Sequence, residues 1–79
     1  MRIDKYLKVS RLIKRRTVAN EAADAGRISV NGRPVKPSYN VKVGDIIEIS
    51  FGNRSVKARV TAITGSTKKE SAGEMFELL

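Results

Sequence analysis

The sequence predicts an α+β fold in which two short N-terminal helices pack on a small, mostly antiparallel sheet. Before Gly26, apolar residues recur at three- and four-residue spacing, which is typical of helices. After Gly26 they alternate with polar residues, which is typical of half-buried strands. The pair Asn31-Gly32 is the strongest short hairpin signal, because a type I′ turn needs positive φ at both central residues. The chain is therefore expected to change from helix to sheet at Gly26.

The first helix is expected to start at Asp4, a residue type that caps helix N-termini well. Ile3 precedes it, and the apolar Tyr6 and Leu7 can turn inward. A second role is open to Asp4: it could pair with a neighbouring base such as Lys8 and fix the orientation of that base.

The second helix is expected to run from Val18 to about Ala25, capped by Thr17 and stopped by Gly26. Its apolar residues lie three and four positions apart and form one narrow face of mostly small side chains: Val18, Ala19, Ala22 and Ala23. Small side chains let this helix approach its neighbour closely.

Residues 27–30 predict the first strand of the sheet. Pro34 and Pro37 keep the segment that returns from the hairpin short or at a sheet edge, because proline has no N–H for a ladder. Residues 46–51 and 56–63 predict two longer strands joined by a turn at 52–54. Residues 65–72 predict a polar loop, and residues 75–79 can close the sheet as a last strand.

The charge of the chain points to a polyanionic partner. Sixteen Lys and Arg against eight Asp and Glu give a net charge of +8 and a pI near 10.3. An excess of this size on a small domain attracts polyanions, of which nucleic acid is the commonest. Residues 1–16 hold seven bases against the single acid Asp4, and these are Arg2, Lys5, Lys8, Arg11, Lys14, Arg15 and Arg16. A basic face serving only solubility is the alternative, but like charges this dense repel one another unless phosphates are nearby.

Arg15-Arg16-Thr17 is the most specific part of the basic segment. Free N–H groups at a helix start, a hydroxyl and two guanidinium groups together can hold an anion. Cations at a helix N-terminus oppose the helix dipole, a cost that makes sense at a phosphate-binding surface. Thr17 could also serve only as a cap, and the two roles are compatible.

Aromatic residues are candidates for stacking on RNA bases. In a small domain they are more often part of the core, and we expect this for Tyr6 although it lies beside the basic residues. The candidates are Tyr6, Tyr39, Phe51 and Phe76.

Enzymatic activity is not expected, because the chain lacks the residue types that carry it. There is no His and no Cys, and the eight acids are scattered along the sequence. No glycine-rich phosphate-binding motif of the nucleotide-hydrolase type occurs. We therefore expect no catalytic residue, no cofactor and no metal site.

A cytoplasmic location is expected from the same composition. The absence of cysteine suits a reducing compartment. The N-terminus lacks the apolar run of a signal peptide, and no apolar stretch approaches the length of a membrane span. The alanine-rich second helix also lacks the bulky apolar residues of a membrane-surface helix, so no membrane partner is expected.

Several short runs follow one another in a characteristic order: Met-Arg-Ile-Asp-Lys-Tyr-Leu at 1–7, Arg-Leu-Ile at 11–13, Arg-Arg-Thr at 15–17, Gly-Arg-Ile-Ser-Val-Asn-Gly at 26–32, Lys-Pro-Ser at 36–38 and Val-Gly-Asp at 43–45. In this order they resemble the alpha-L RNA-binding motif, the domain named after ribosomal small-subunit protein four. The resemblance implies that two packed helices and a following loop face structured RNA, with a small sheet behind. Residues 1–79 are then a single RNA-binding domain, with the core motif at 1–51 and C-terminal strands and a tail at 52–79.

Among stand-alone members, the chain is most similar to the RqcP family of ribosome quality control in Gram-positive bacteria. The run at 7–17, the length and the stretch Thr-Lys-Lys-Glu at 67–70 carry this similarity. It implies a factor that binds obstructed 50S subunits holding peptidyl-tRNA. It also implies contacts with 23S rRNA and tRNA, and support of C-terminal alanine tailing by an RqcH-type factor. RNA contact is expected at the seven N-terminal bases and Thr17, with Arg27 as a weaker candidate, and the protein is expected to be a monomer.

Two alternative functions stay open at this point. One is a heat-shock-type factor that recycles 50S subunits bearing a nascent chain. Members of that type have a longer, basic C-terminal extension, whereas this sequence has a mildly acidic C-terminal stretch. The other is a structural ribosomal protein present in every particle.

Overall fold

The computed structural model describes residues 1–63 and 75–79, which contain two α-helices and five β-strands. The helices are α1 (Ile3–Val9) and α2 (Arg16–Asp24). The strands are β1 (Ile28–Val30), β2 (Arg33–Pro34), β3 (Ile46–Phe51), β4 (Arg54–Val60) and β5 (Phe76–Leu78). They form one sheet in the order β2-β1-β3-β4-β5, and every neighbouring pair is antiparallel. The predicted α+β class is confirmed, while the polar loop predicted at 65–72 lies outside the described residues.

The hairpin between β1 and β2 forms where the sequence predicts it. Asn31 and Gly32 have φ of 52° and 85°, the left-handed values of a type I′ turn. The Asn31 side chain also joins this hairpin to the start of β3. Its Oδ1 accepts the Ile46 N–H at 3.0 Å, and its Nδ2 donates to Asp45 Oδ1 at 3.2 Å. Pro34 lies in the edge strand β2, as predicted.

β3 matches its predicted bounds, whereas β4 starts and ends earlier than predicted. Phe51 pairs with Arg54 around a two-residue turn, so β4 starts at Arg54 instead of residue 56. Gly52, in this turn, has a φ of 61°, a value that glycine adopts without strain. β4 ends at Val60 instead of residue 63, because the next two N–H groups donate to the Met75 carbonyl and leave the ladder.

The core lies between the two helices and one face of the sheet. α2 contributes Ala19 and Ala23, whose small side chains allow the close helix approach that the sequence predicts. Larger buried side chains come from α1 and the strands: Ile3, Leu7, Ile28, Ile47, Ile49 and Val60. This packing leaves the opposite side of α1 facing solvent.

Tyr6 belongs to this core and does not face the solvent. Its side chain is fully buried, and its hydroxyl donates to the Met75 carbonyl at 2.6 Å. Burial raises the pKa of Tyr6 to about 12. The bond ties α1 to the segment that enters β5, so Tyr6 is a structural residue, as expected.

Both predicted N-caps are wrong. α1 begins at Ile3, which places Asp4 inside its first turn, and Arg2 is the N-cap without a side-chain cap bond. The first two N–H groups of α1 donate instead to backbone carbonyls of Tyr39 and Pro37. These carbonyls belong to residues far away in sequence, so a capping rule based on neighbouring residues cannot predict the two hydrogen bonds.

α2 begins at Arg16, two residues earlier than predicted, and its N-cap is Arg15. Thr17 is therefore an exposed residue of the first turn and makes no cap bond. The predicted stop at Gly26 is confirmed: its φ is 75°, and its N–H donates to the Ala23 carbonyl at 3.0 Å. The Arg27 N–H donates to the Ala22 carbonyl at 2.9 Å, which completes a Schellman motif. Neither described helix is long and apolar enough to cross a membrane.

Candidate nucleic-acid interface

The seven N-terminal bases are all exposed, and they extend over α1, the interhelical loop and the first turn of α2. We call this set the basic surface: Arg2, Lys5, Lys8, Arg11, Lys14, Arg15 and Arg16. Arg2, Lys5 and Lys8 follow one another at three-residue spacing, while the residues between them are buried. Helical geometry therefore places these three cations along the solvent side of α1.

A buried carboxylate organises part of this surface. Asp4 is 2% exposed and faces two arginines from different parts of the chain. Its Oδ2 lies 3.2 Å from Arg2 Nη2, and its Oδ1 lies 3.5 Å from Arg16 Nη2. Asn20 Nδ2 donates to Oδ2 at 3.2 Å, and the Lys5 backbone N–H donates to Oδ1 at 2.8 Å. We call Asp4, Arg2, Arg16 and Asn20 the Asp4 cluster.

These contacts keep the Asp4 carboxylate ionised. Burial on its own would raise the pKa of Asp4. The hydrogen bonds from Asn20 and the Lys5 N–H, together with the charges of Arg16 and Arg2, outweigh burial and lower the pKa below its ordinary value of 3.8. At neutral pH a negative charge therefore lies between two guanidinium groups.

The two arginines remain available to a ligand. Their side chains are 49% and 47% exposed, and each has one nitrogen near Asp4. Within the part of the chain that the structure describes, no contact to the other guanidinium nitrogens is seen. A guanidinium can hold a phosphate with two parallel hydrogen bonds. The Asp4 charge also offsets the repulsion between Arg2 and Arg16. The predicted pairing of Asp4 with a base is confirmed, but its partners are Arg2 and Arg16 instead of Lys8.

A second part of the basic surface is a cleft whose described lining contains cations and no acid. Lys8, Arg11 and Lys14 line it together with Val9. None of the three cations takes part in an ion pair within the described residues. Arg11 has a φ of 65°, a left-handed conformation that is costly for a residue with a side chain. The arrangement suits a phosphate group, which would supply the missing negative charge.

The structure separates the remaining two predicted site residues. Thr17 lines a shallow pocket with Asp4, Arg16, Asn20 and Glu21, next to the Asp4 cluster. Arg27 lines a different groove, between α2 and the end of β3. Asn20 is the residue that sequence reasoning missed, and a lone asparagine among the alanines of α2 is a weak signal for it.

The described strand residues give the outer face of the sheet no comparable excess of positive charge. Glu48 of β3 stands opposite Lys57 of β4, and Arg59 Nη1 lies 3.5 Å from Glu77 Oε2. Among the described strand residues, Lys57 and Arg59 on this face therefore each have an acid beside them. The described residues contain no group of three or more acidic side chains placed to hold a metal ion.

Comparison with known proteins identifies the family. The S4 domain family matches residues 1–47. The chain is 57% identical over 79 residues to the RQC P-site tRNA stabilizing factors of Streptococcus pneumoniae and Listeria innocua. The alignments cover 100% of this chain, and 90% and 86% of those proteins. The chain belongs to the S4 domain family and, within it, to the RQC P-site tRNA stabilizing factors. The resemblance to the alpha-L motif is thereby confirmed.

A solved structure also matches the fold of this chain. The trimeric structure of Vibrio cholerae Heat Shock Protein 15 superposes with a TM-score of 0.91 at 25% identity. The match covers 100% of this chain and 81% of that chain. Two helices on an antiparallel sheet are therefore shared between this chain and a heat-shock relative.

Proposed function

We propose that this S4 protein is a non-enzymatic RNA-binding factor of ribosome-associated quality control, which acts in the cytoplasm. The observation that carries the proposal is its similarity along the full chain to factors named for stabilising a P-site tRNA. The exposed basic surface supports it, because a dense set of cations on a small domain suits a phosphate backbone.

RNA contact is assigned to the basic surface and to two further residues, Thr17 and Arg27. Arg2 and Arg16 orient their guanidinium groups through Asp4 and would fix the position of the RNA backbone. Lys8, Arg11 and Lys14 would enclose a phosphate in their cleft. Lys5 and Arg15 add charge at the edges of these two sites, and Thr17 offers a hydroxyl beside Arg16.

The finer steps follow the RqcP family. The protein would bind obstructed 50S subunits that hold peptidyl-tRNA and would contact both 23S rRNA and the tRNA. In this position it would support alanine tailing of the stalled chain by an RqcH-type factor. Residues 1–79 would act as one RNA-binding domain, with its core motif at 1–51, and as a monomer.

A second candidate function is the recycling of 50S subunits that bear a nascent chain, as in heat-shock-type factors. The observation that favours it is the structural match to Heat Shock Protein 15 over the whole of this chain. Deletion of the gene separates the two functions. Loss of alanine tails on stalled chains is expected for the quality-control role, whereas intact tails would favour the heat-shock role.

Arg16 provides the sharpest test of the RNA contact. We expect Arg16→Ala to weaken co-sedimentation with peptidyl-tRNA-bearing 50S subunits about ten- to hundredfold, the effect of losing one charge-assisted contact of about 1.5–3 kcal/mol. Stability should fall by less than about 1 kcal/mol, because the ion pair is half-exposed and Asp4 keeps its other three donors.

Two control variants make this test specific. Arg54→Ala removes the same charge from the exposed start of β4, outside the basic surface, and should leave 50S binding nearly unchanged. Arg16→Lys keeps the charge but loses the two-pronged donor, so it should bind at an intermediate level. Equal losses for Arg16→Ala and Arg54→Ala would show that net charge, and not this site, holds the RNA.

A further inference from the structure

α2 has a second exposed flank, turned away from the Asp4 cluster. Arg16 and Asn20 lie on the flank near Asp4, and Val18 lies about 200° around the helix from Arg16, at 100° per residue. The second flank forms one wall of a groove whose other wall is the end of β3. We call it the α2–β3 groove, and it is lined by Val18, Glu21, Ala22, Ala25, Arg27, Ser50 and Phe51.

Phe51 is the aromatic residue that this groove presents to solvent. Its side chain is 40% exposed, whereas Tyr6 is fully buried. Tyr39 is partly buried, and its hydroxyl donates to Asp45 Oδ2 at 2.9 Å. Val18 on the facing wall is 46% exposed, so the groove is open between an aliphatic side chain and a ring. Phe76 is partly buried in β5. Of the four aromatic residues that the sequence offered for base stacking, Phe51 is thus the exposed one.

We propose that the α2–β3 groove receives one unpaired nucleobase of the RNA held on the basic surface, a proposal that rests on the proposed function. The Phe51 ring supplies a stacking platform, which binds any base face. Arg27 adds guanidinium donors and a planar cation in the same groove. The Glu21 carboxylate can accept from an exocyclic amino group, so the groove favours cytosine, adenine or guanine over uracil.

The composition of the groove favours a base over a protein helix. A helix that docks in a groove needs several bulky apolar anchors about one turn apart. Among the described residues that line the groove, Val18 and Phe51 are the bulky apolar side chains, and the remaining apolar ones are alanines. Arg27 and Glu21 fit the donor and acceptor edge of a base better than an apolar helix face.

The position of the groove also suits RNA. Glu21 lines both the α2–β3 groove and the pocket that contains Arg16 and Thr17. An RNA strand whose phosphates bind at the Asp4 cluster can therefore pass over the exposed side of α2 and place a neighbouring base beside Phe51. The basic surface would supply most of the affinity, and the groove would add a contact to the base itself.

The first experiment compares two oligomers of equal length and charge at low salt. One is a labelled single-stranded oligocytidylate, and the other is an abasic ribose-phosphate oligomer. We expect Phe51→Leu to weaken oligocytidylate binding about five- to hundredfold and to leave abasic-oligomer binding unchanged, because only the former offers a base to stack. The matched control is Val43→Ala, which changes another exposed apolar side chain outside the groove, 64% exposed, and should alter neither affinity.

The second experiment uses Phe51→Trp, since the chain contains no tryptophan. Stacking should quench its fluorescence with oligocytidylate but not with the abasic oligomer. The nucleobase assignment is overturned if the two oligomers quench the fluorescence of Phe51→Trp equally. It is also overturned if Phe51→Leu binds oligocytidylate as tightly as the wild type does. If Phe51→Leu keeps its affinity for oligocytidylate but binds 50S subunits more weakly, the groove docks a protein instead. Two outcomes would count against the proposed function and remove this proposal with it. In one, the wild-type protein binds neither oligomer; in the other, Arg16→Ala changes the affinity for neither oligomer.

Discussion

At the scale of single residues, Asp4 is the carboxylate that brings two arginines of the basic surface together. It is almost fully buried and accepts contacts from two side chains at positions 16 and 20, more than ten residues away in sequence. Replacing it leaves Arg2 and Arg16 facing each other without a counter-charge. Asp4 should therefore affect both stability and the orientation of the arginines.

We expect Asp4→Asn to lower the free energy of unfolding at pH 7 by about 1–3 kcal/mol, the cost of weakening hydrogen bonds to a buried charged group. The folded pKa of Asp4 lies below the ordinary value of 3.8. Its contribution to stability is therefore present above pH 3.8 and is lost as the pH falls through the folded pKa. Thermal melts from pH 7 downward should show the two proteins converging in acid.

Asp24→Asn is the matched control for this experiment, because Asp24 is an exposed acid at the end of α2. It should change stability by no more than about 0.5 kcal/mol, as surface substitutions usually do. A constant difference in melting temperature between Asp4→Asn and wild type down to the lowest pH would show that Asp4 is not ionised by the cluster.

At the scale of elements, the loop between α1 and α2 combines conformational strain with charge. Arg11 has a left-handed backbone, and its side chain lines the cleft with Lys8 and Lys14. Glycine would adopt this backbone without strain, but it would remove one cation of the cleft. The residue that suits the proposed RNA contact is thus not the residue that suits the loop backbone.

We expect Arg11→Gly to keep or raise the free energy of unfolding, by up to about 1 kcal/mol, because the left-handed strain and some like-charge repulsion disappear. Binding to 50S subunits should nevertheless weaken by about threefold or more, since a phosphate contact is lost. Chemical denaturation and co-sedimentation measure the two effects separately. A variant that is both less stable and unimpaired in binding would contradict the role assigned to this loop.

The two ends of α2 should respond differently to substitution. Thr17 makes no cap bond, so Thr17→Val should change stability by less than about 0.5 kcal/mol, instead of the 1 kcal/mol or so typical of a lost cap. Gly26→Ala, by contrast, should destabilise by about 1 kcal/mol, because Gly26 has a φ of 75° in the Schellman motif. Thermal melts of both variants check this. A larger loss in Thr17→Val than in Gly26→Ala would mean that Thr17 does cap the helix.

The helix ends and the first hairpin show which parts of the fold could be predicted from the sequence. The stop at Gly26 and the Asn31-Gly32 hairpin depend on backbone angles that the residues themselves favour, so local rules found both. The start of α1 depends on carbonyls of the 37–39 segment, which only the folded chain brings near. The same limit applies to the site: exposed cations could be predicted, but the contacts of Asp4 with Arg16 and Asn20 could not.

At the scale of the whole molecule, charge is separated between two faces. The helical side presents the basic surface, where Asp4 is the one acid among the first sixteen residues. The outer sheet face places Glu48 and Glu77 beside bases, which reduces its net charge. A chain of net charge +8 can therefore orient on a polyanion by its helical side.

This separation predicts how RNA binding depends on salt. If about six bases meet phosphates, the logarithm of affinity should fall against the logarithm of salt concentration with a slope near −4 to −5, at roughly 0.7–0.9 per contact. Lys14→Gln should make this slope shallower by about 0.7–0.9, because it removes one phosphate contact of the cleft. Lys57→Gln removes the same charge from the outer sheet face and should leave the slope nearly unchanged. Binding assays of 50S subunits over a salt series measure all three slopes. A wild-type slope shallower than about −2, or equal changes in the two variants, would mean that the phosphates do not bind on the helical side.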